Sequence, residues 1–502
     1  LPGQKDPATD FQATRLSALG AFLCATVRRA KIVATLGPAL DDPDRLRAAL
    51  AAGIDVVRLN FSHGTPPEHR SRLEEVRRIA AELGRPIGSL GDLQGPKIRL
   101  GQLPDPGIEL REGGEVVFVS GAEELESYEQ DGTPLLPVVY EQLADDVETG
   151  SLILMDDGLL RTVVAEVDGP AVRARVVVGG LARSRKGVNL PGVDVSAASM
   201  TDKDREDVAT MVELGVDWIA LSFVRRAADI HQLREVIASH GGVQPIVAKL
   251  ERPEAVANLD EIVEATDAIM VARGDLGVEI GPERVPSIQK EMIDRANRWS
   301  KPVITATEML DSMMRSPRPT RAEASDVANA IFDGTDAVML SGETAAGRYP
   351  VEAVRTMARI IEVNERDTHF SQVLPETRDV VGSVVAKAAV QIAQDLGAKA
   401  ILVFSFSGAS VQLVSKFRPK QPLIGFTSEE STLTRLPLMW GVRGEMVAEQ
   451  GQSEALIRAA DQLCIEQGLG TDGDTVVIVS GIPGGRGGTN RVMAHRIGEV
   501  VG

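Results

Sequence analysis

From residue 31 onward, short Val/Ile-rich runs alternate with longer stretches whose apolar positions recur at helical spacing. The runs are Lys31–Gly37, Asp55–Phe61, Pro86–Leu93, Trp218–Val224, Pro245–Glu251, Ala268–Ala272, Pro302–Thr307 and Ala337–Ser341. Helical patterns lie between or after them, as at Asp44–Ala52, Pro67–Leu83, Glu283–Arg298, Arg321–Phe332 and Val351–Asn364. Strands alternating with helices imply a parallel sheet with crossover helices, and eight such units predict a (β/α)8 TIM barrel.

One connection breaks the rhythm. About a hundred residues separate the third run from the helical pattern that starts near Thr201. They carry β-type runs at Glu115–Ser120, Leu152–Met155, Thr162–Val167 and Val172–Val178, with turn signals at Asp157-Gly158 and Asp168-Gly169. A structureless loop of that length is improbable inside a compact domain, so the stretch reads as an inserted all-β domain. Beyond about residue 375 a helix near Val384–Asp395 precedes strands at Ala400–Ser405, Pro422–Thr427, Val442–Val447 and Asp474–Ser480. With helices between them, these predict a separate open α/β domain. The divisions are an N-terminal arm or helix (1–30), the barrel (31–96 and 196–370), the insert (97–195) and the C-terminal domain (371–502).

The chain has 502 residues, 43% hydrophobic and 25% charged, which excludes a disordered chain, a coiled coil and a collagen-like repeat. A net charge of −18 argues against nucleic acid or an anionic membrane as partner. Cys24 and Cys464 are the only cysteines, so no disulfide framework or Cys-based zinc site is available and a reducing cytoplasm fits. The six histidines form no HxH or HExxH pair. Leu16–Val27 is apolar but too short to span a bilayer. Arg28, Arg29 and Lys31 follow it in place of a cleavage site, so it reads as a packed arm rather than a secretory signal.

In a TIM barrel the chemistry sits at the C-terminal ends of the strands. There the polar residues gather. The second run ends Arg58-Leu59-Asn60-Phe61-Ser62-His63, and the third ends Asp92-Leu93-Gln94-Gly95-Pro96-Lys97. The fourth carries Ser222. The fifth carries Lys249 and Glu251, which share a face because strand side chains alternate. The sixth is followed by Arg273-Gly274-Asp275, the seventh ends at Thr307 and Glu308, and the eighth at Ser341-Gly342-Glu343. Glu251 and Asp275 are hard oxygen ligands suited to Mg²⁺ or Mn²⁺. Arg58, Lys97, Arg99, Lys186 and Lys249 collect positive charge at one mouth of an acidic protein, which points to a small polyanion. Metal, cations and no Cys–His nucleophile fit direct phosphoryl transfer. Charge and metal ligands alone equally allow another phosphoenolpyruvate or oxoacid barrel enzyme, such as a metal-dependent aldolase. The glycine-rich stretch 481–488 lacks GK[ST] and is no Walker loop.

Nine strings in order resemble the pyruvate kinase family over residues 31–502: KIVATLGPA (31–39), RLNFSHG (58–64), GDLQGPKIRLG (91–101), KGVNLPG (186–192), IVAKLERPEAV (246–256), MVARGDLGVEI (270–280), PVITATEML (302–310), PRPTRAEASDVANA (317–330) and DAVMLSGETAAGRYP (336–350). The resemblance implies phosphoryl transfer between phosphoenolpyruvate and ADP, giving pyruvate and ATP. It implies Mg²⁺ or Mn²⁺, a homotetramer, and a β-barrel lid formed by the insert over the nucleotide.

By position, it gives the divalent metal to Glu251 and Asp275, and the transferring phosphoryl group to Lys249 and Arg58. Gly274, Asp275, Thr307 and Ser222 are expected at the substrate, with Thr307 and Ser341 on the face where the enolate is protonated. Asn60, His63, Arg99 and Lys186 are expected at the nucleotide. Asn60, Ser62, Asp92 and the Leu93 carbonyl match a monovalent-cation site. Lys97 stands where K⁺-dependent relatives carry Glu, so its ammonium is expected to replace K⁺. A phosphorylated effector is expected at Ser405, Ser407, Gly408 and Ser410 in the C-terminal domain, with Arg486 reaching it from the glycine-rich loop.

Overall fold

The computed structural model describes residues 28–196, 198–366, 381–447, 453–481 and 488–499. The arm expected over Leu16–Val27 and the effector residue Arg486 lie outside them.

Eight strands form a closed barrel: Lys31–Thr35, Val56–Asn60, Gly88–Asp92, Trp218–Leu221, Ile246–Leu250, Ala268–Ala272, Val303–Ala306 and Ala337–Leu340. Neighbours in sequence are neighbours in the sheet, every pair is parallel, and the first strand closes on the eighth. The expected helices are there, within a residue or two of their predicted ends: Pro43–Ala52, Pro66–Leu83, Val285–Arg298, Arg321–Asp333 and Pro350–Glu365. Their starts follow from local chemistry. Asp42 accepts the Arg45 amide at 2.8 Å, and Thr320 accepts the Glu323 amide at 3.2 Å while its own amide donates to the Glu323 carboxylate. One apolar layer lies between strands and helices. A second fills the barrel interior with Val33, Val56, Leu90, Trp218, Met270 and Met339.

Between the third and fourth strands, the chain leaves the barrel and builds its own apolar cluster, from Ile98 and Leu100 through Phe118 and Ile153 to Val195. The insert is a seven-stranded sheet with a separate two-stranded ribbon, Ile108–Leu110 on Gly180–Ala182. The sheet ends in two-residue strands, Val188–Asn189 on one side and Glu129–Gln130 on the other, and residues 98–101 bridge its two sides: the Leu100 amide donates to the Lys186 carbonyl at 2.9 Å, and the Val139 amide donates to the Arg99 carbonyl at 2.9 Å. A single helical turn, Leu143–Asp146, interrupts the all-β pattern.

The C-terminal unit is a five-stranded sheet in the order Val442–Met446, Leu423–Thr427, Ile401–Phe404, Thr475–Gly481, Thr489–Arg496. The last strand is antiparallel. This unit sits at the bottom of the barrel. Leu438 joins the interior barrel cluster, and Lys31 Nζ donates to the Val442 carbonyl at 2.8 Å. Buried Lys416 donates to Asn297 Oδ1 at 2.8 Å and pairs with Asp336, just before the eighth strand. The bottom is thus sealed and the C-terminal rim stays open for chemistry.

Candidate active site

The rim is organised around one buried carboxylate. Asp92 ends the third strand and receives Arg58 Nε at 2.6 Å from the second and Lys249 Nζ at 3.3 Å from the fifth. Burial pushes the Asp92 carboxyl up, but Lys249 and Arg58 outweigh it and hold its pKa below the usual range. Lys249 also donates to Ser222 Oγ at 2.6 Å and lies 3.1 Å from Glu251 Oε1. For Lys249, burial disfavours the charge, yet Asp92 and Glu251 together raise its pKa, so it is an ammonium at neutral pH. Its side chain is 12% exposed, so the charge is largely desolvated and still accessible from the mouth.

Glu251 is buried. Its Oε2 accepts the Phe223 amide at 2.8 Å, a contact made possible by Phe223 at φ 56°. Burial raises the Glu251 pKa, and Asp275 adds to that rise while Lys249 opposes it. Asp275 lies on the short helix Arg273–Ile280 that follows the sixth strand, and Lys97 Nζ meets it at 2.9 Å. The loop that delivers Lys97 turns at Gly95. There φ is 71° and a Cβ would stand 2.8 Å from the Phe223 ring, so only glycine fits.

The structure joins Arg58, Asp92, Lys249, Glu251 and Ser222 in one connected network, with the Lys97–Asp275 pair close enough for the Asp275 charge to act on Lys249 and Glu251. Ser222 Oγ donates to the Leu93 carbonyl at 2.7 Å. Asn60 Oδ1 accepts the Ser62 amide at 3.2 Å and so closes a turn, and His63 is exposed. Thr307 has φ 69°, strained for a β-branched residue. Its hydroxyl donates to the Ala306 carbonyl and accepts the Gly274 amide at 2.8 Å, so that amide is engaged by the protein itself. Ser341 Oγ is buried without a hydrogen-bond partner among the described residues.

Other expected residues stand apart from this network. Lys186 pairs with Asp156 at 2.8 Å and Arg99 donates to the Arg185 carbonyl, both on the insert side of the cleft. In the C-terminal unit Gly408, at φ 82°, precedes the helix Ala409–Lys416. Ser407 is exposed, but the Ser410 hydroxyl is buried and taken by Thr489 Oγ1 at 2.6 Å. Thr35 escaped the sequence analysis, and Glu343 entered it only within the string that ends the eighth run. Thr35, at the end of the first strand, accepts Arg58 Nη1 at 3.0 Å. Glu343 is buried and accepts the Leu310 amide at 3.0 Å and the Ser341 amide at 2.8 Å. Thr35 ends a strand, the one position signal that marked the others.

Three cations (Arg58, Lys97, Lys249) face three carboxylates (Asp92, Glu251, Asp275). A phosphorylated carboxylic acid would bring excess negative charge, which a divalent cation offsets. The donor set fits such a cation. Among the described residues no group of three or more His, Cys, Asp or Glu side chains forms a metal cage. A pair of carboxylates, with water and substrate oxygens completing the shell, is how Mg²⁺ is commonly held.

A family model described as pyruvate kinase, barrel domain, matches residues 27–354 of this chain, and one described as pyruvate kinase, alpha/beta domain, matches residues 383–495. The chain belongs to the pyruvate kinase family. It is 46% identical over 483 residues to the pyruvate kinase of Geobacillus stearothermophilus, covering 94% of this chain and 81% of that protein. It is 46% identical over 473 residues to the pyruvate kinase of Mycobacterium intracellulare, covering 94% and 99%. Pyruvate kinase 2 of Synechocystis sp. is 45% identical over 481 residues, covering 95% and 80%. The chain is therefore a phosphotransferase acting between phosphoenolpyruvate and ADP, and its family depends on a divalent metal. Among the described residues no helix is long and apolar enough to cross a membrane.

Proposed function

We propose that the Asp92-centred network is where this chain makes pyruvate and ATP, with Mg²⁺ or Mn²⁺ held by Glu251 and Asp275. The observation that carries the reading is the desolvated ammonium of Lys249, fixed between Asp92 and Glu251 at the open end of the barrel. The bound metal supplies charge neutralisation to the phosphoryl and enolate oxygens. Lys249 places a preorganised positive charge beside the group in flight, where little water competes. Arg58, held by Asp92 and Thr35, presents its remaining N–H groups to the phosphoryl oxygens. Thr307 and Ser341 bound the face on which the enolate takes its proton; the unpartnered Ser341 hydroxyl supports that place for it. Gly274 and Asp275 lie at the substrate carboxylate, and His63, Asn60, Arg99 and Lys186 border the nucleotide.

K⁺ is dispensable in this reading. Lys97 brings its ammonium into the cleft rather than to solvent, which supports the substitution. It meets Asp275, whereas in the monovalent set Asn60 Oδ1 accepts the Ser62 amide, Asp92 Oδ2 accepts Arg58 while its Oδ1 has only the Lys249 ammonium nearby, and the Leu93 carbonyl accepts Ser222. The chain is proposed to work as a cytoplasmic homotetramer. Ser405, Ser407 and Gly408 form a loop before a helix that suits a phosphorylated effector. An effector there would shift the phosphoenolpyruvate KM on adding sugar phosphates or AMP, and no shift with any of them would remove the site. The activity itself is tested by a coupled assay for pyruvate. Turnover should vanish with a chelator, return with Mg²⁺ or Mn²⁺, and survive replacement of K⁺ by tetramethylammonium. Full activity in chelator would contradict the metal assignment.

A further inference from the structure

The helix Arg273–Ile280 does more than carry Asp275. It meets the inserted domain at three points. Lys97, on the outgoing connection, pairs with Asp275. The Gly158 turn faces Val278, whose Cγ1 would lie 3.9 Å from a Cβ at that glycine. Asn189, on the returning strand Val188–Asn189, donates through Nδ2 to Glu279 Oε1 at 3.0 Å. Asp275 and Glu279 are one helical turn apart, so each connection between barrel and insert is met by one carboxylate of a single helix.

The two contacts differ in kind. Lys97 and Asp275 are 22% and 25% exposed, and Asp275 is the proposed metal ligand, so that pair is exchangeable. The Glu279 side chain is 1% exposed. It also accepts Arg252 Nη1 at 3.1 Å, and Arg252 in turn donates to the Val193 carbonyl at 3.3 Å, further along the returning connection. Glu279 thus ties the fifth-strand loop, the sixth-strand helix and the return of the insert into one buried knot. A charged acceptor enclosed in this way is costly to leave unpaired. The N-terminal end of the helix is held separately. Arg273 donates to the Ala306 carbonyl at 3.1 Å and the Thr307 carbonyl at 2.7 Å, and pairs with Asp326 at 2.6 Å.

We propose that Glu279 is a positioning residue, the fixed anchor that sets the insert over the cleft through Asn189 and Arg252. This deepens the reading above, since it takes the insert as the lid over the nucleotide. Because Arg273 fastens the other end of the helix, loss of Glu279 frees the insert without displacing the substrate face of the barrel.

The test is hydrogen exchange of full-length Glu279→Ala, Glu279→Gln and Asn189→Ala without substrates, followed by steady-state kinetics. In Glu279→Ala, exchange over 186–196 should quicken about tenfold, the size expected for losing a hydrogen bond to a charged group, while the strand 268–272 is unchanged. The KM for ADP should rise with it, and the KM for phosphoenolpyruvate should stay within about twofold. Glu279→Gln keeps an acceptor for Asn189 and should fall between. The Asn189→Ala/Glu279→Ala double variant should match Glu279→Ala alone. Unchanged exchange over 186–196, or equal rises in both KM values, would overturn the proposal. If Glu279→Ala does not fold, Asn189→Ala takes its place under the same two criteria, since it removes one hydrogen bond and leaves the Arg252 pair. Exchange without substrates separates this outcome from a failure of the kinase assignment, which would show as no pyruvate from the parent chain.

Discussion

At the scale of single residues, the site depends on charges kept where water cannot screen them. Lys249 is the clearest case, because its neighbours raise its pKa against the cost of burial. Lys249→Met should lower kcat by ~10²–10³, the usual worth of one preorganised charge at a transition state. Mn²⁺ binding, read by paramagnetic relaxation, should change little, since Glu251 and Asp275 remain. A variant within threefold of the parent would show that Lys249 is a rim ion pair and nothing more. The sequence made Lys249, Glu251 and Asp275 legible through strand alternation and position. It could not reveal that the Gly274 amide binds Thr307 Oγ1, or that Ser410 faces Thr489, because both depend on distant segments meeting.

At the scale of elements, the loop 93–97 links the third strand to the insert and sets the cation balance of the cleft. Lys97→Glu exchanges an ammonium beside Asp275 for a third acidic group next to Glu251 and Asp275. The variant should depend on K⁺ where the parent does not, read as turnover with K⁺ against tetramethylammonium at fixed ionic strength. A parent that loses more than about tenfold without K⁺ would refute the substitution, given that Lys supplies only a point charge. The barrel strands were readable because each is a short apolar run bounded by turn residues. Thr133–Val138 was not, because Pro134 and Pro137 break its strand pattern. The closing strand Thr489–Arg496 was missed too, since Asn490, Arg491 and His495 interrupt the apolar run.

At the scale of the whole molecule, two buried lysines join the C-terminal unit to the barrel. Burial brings both Lys31 and Lys416 down to about 8, against the opposing pull of Asp55 and Asp336. A folded pKa below the unfolded 10.5 means the unfolded chain holds more protons between the two values. Stability contributed by these groups therefore rises as pH climbs from about 8 towards 10.5, and the penalty is fully present below 8. Melting temperatures of the parent should gain on those of Lys31→Met and Lys416→Met over that window. A constant difference across it would show that the two ammoniums keep ordinary pKa values. The same junction leaves the far rim of the barrel free.

What happens on that rim is tested most directly by pyruvate release from phosphoenolpyruvate and ADP during a Mg²⁺ titration of the parent and of Glu251→Gln. The parent should turn over only with the metal. Glu251→Gln should need far more Mg²⁺ and remain at least ~10²-fold slower at saturation, since one of only two protein carboxylates for the ion is gone. Equal Mg²⁺ dependence in the two proteins, at equal rates, would contradict the account.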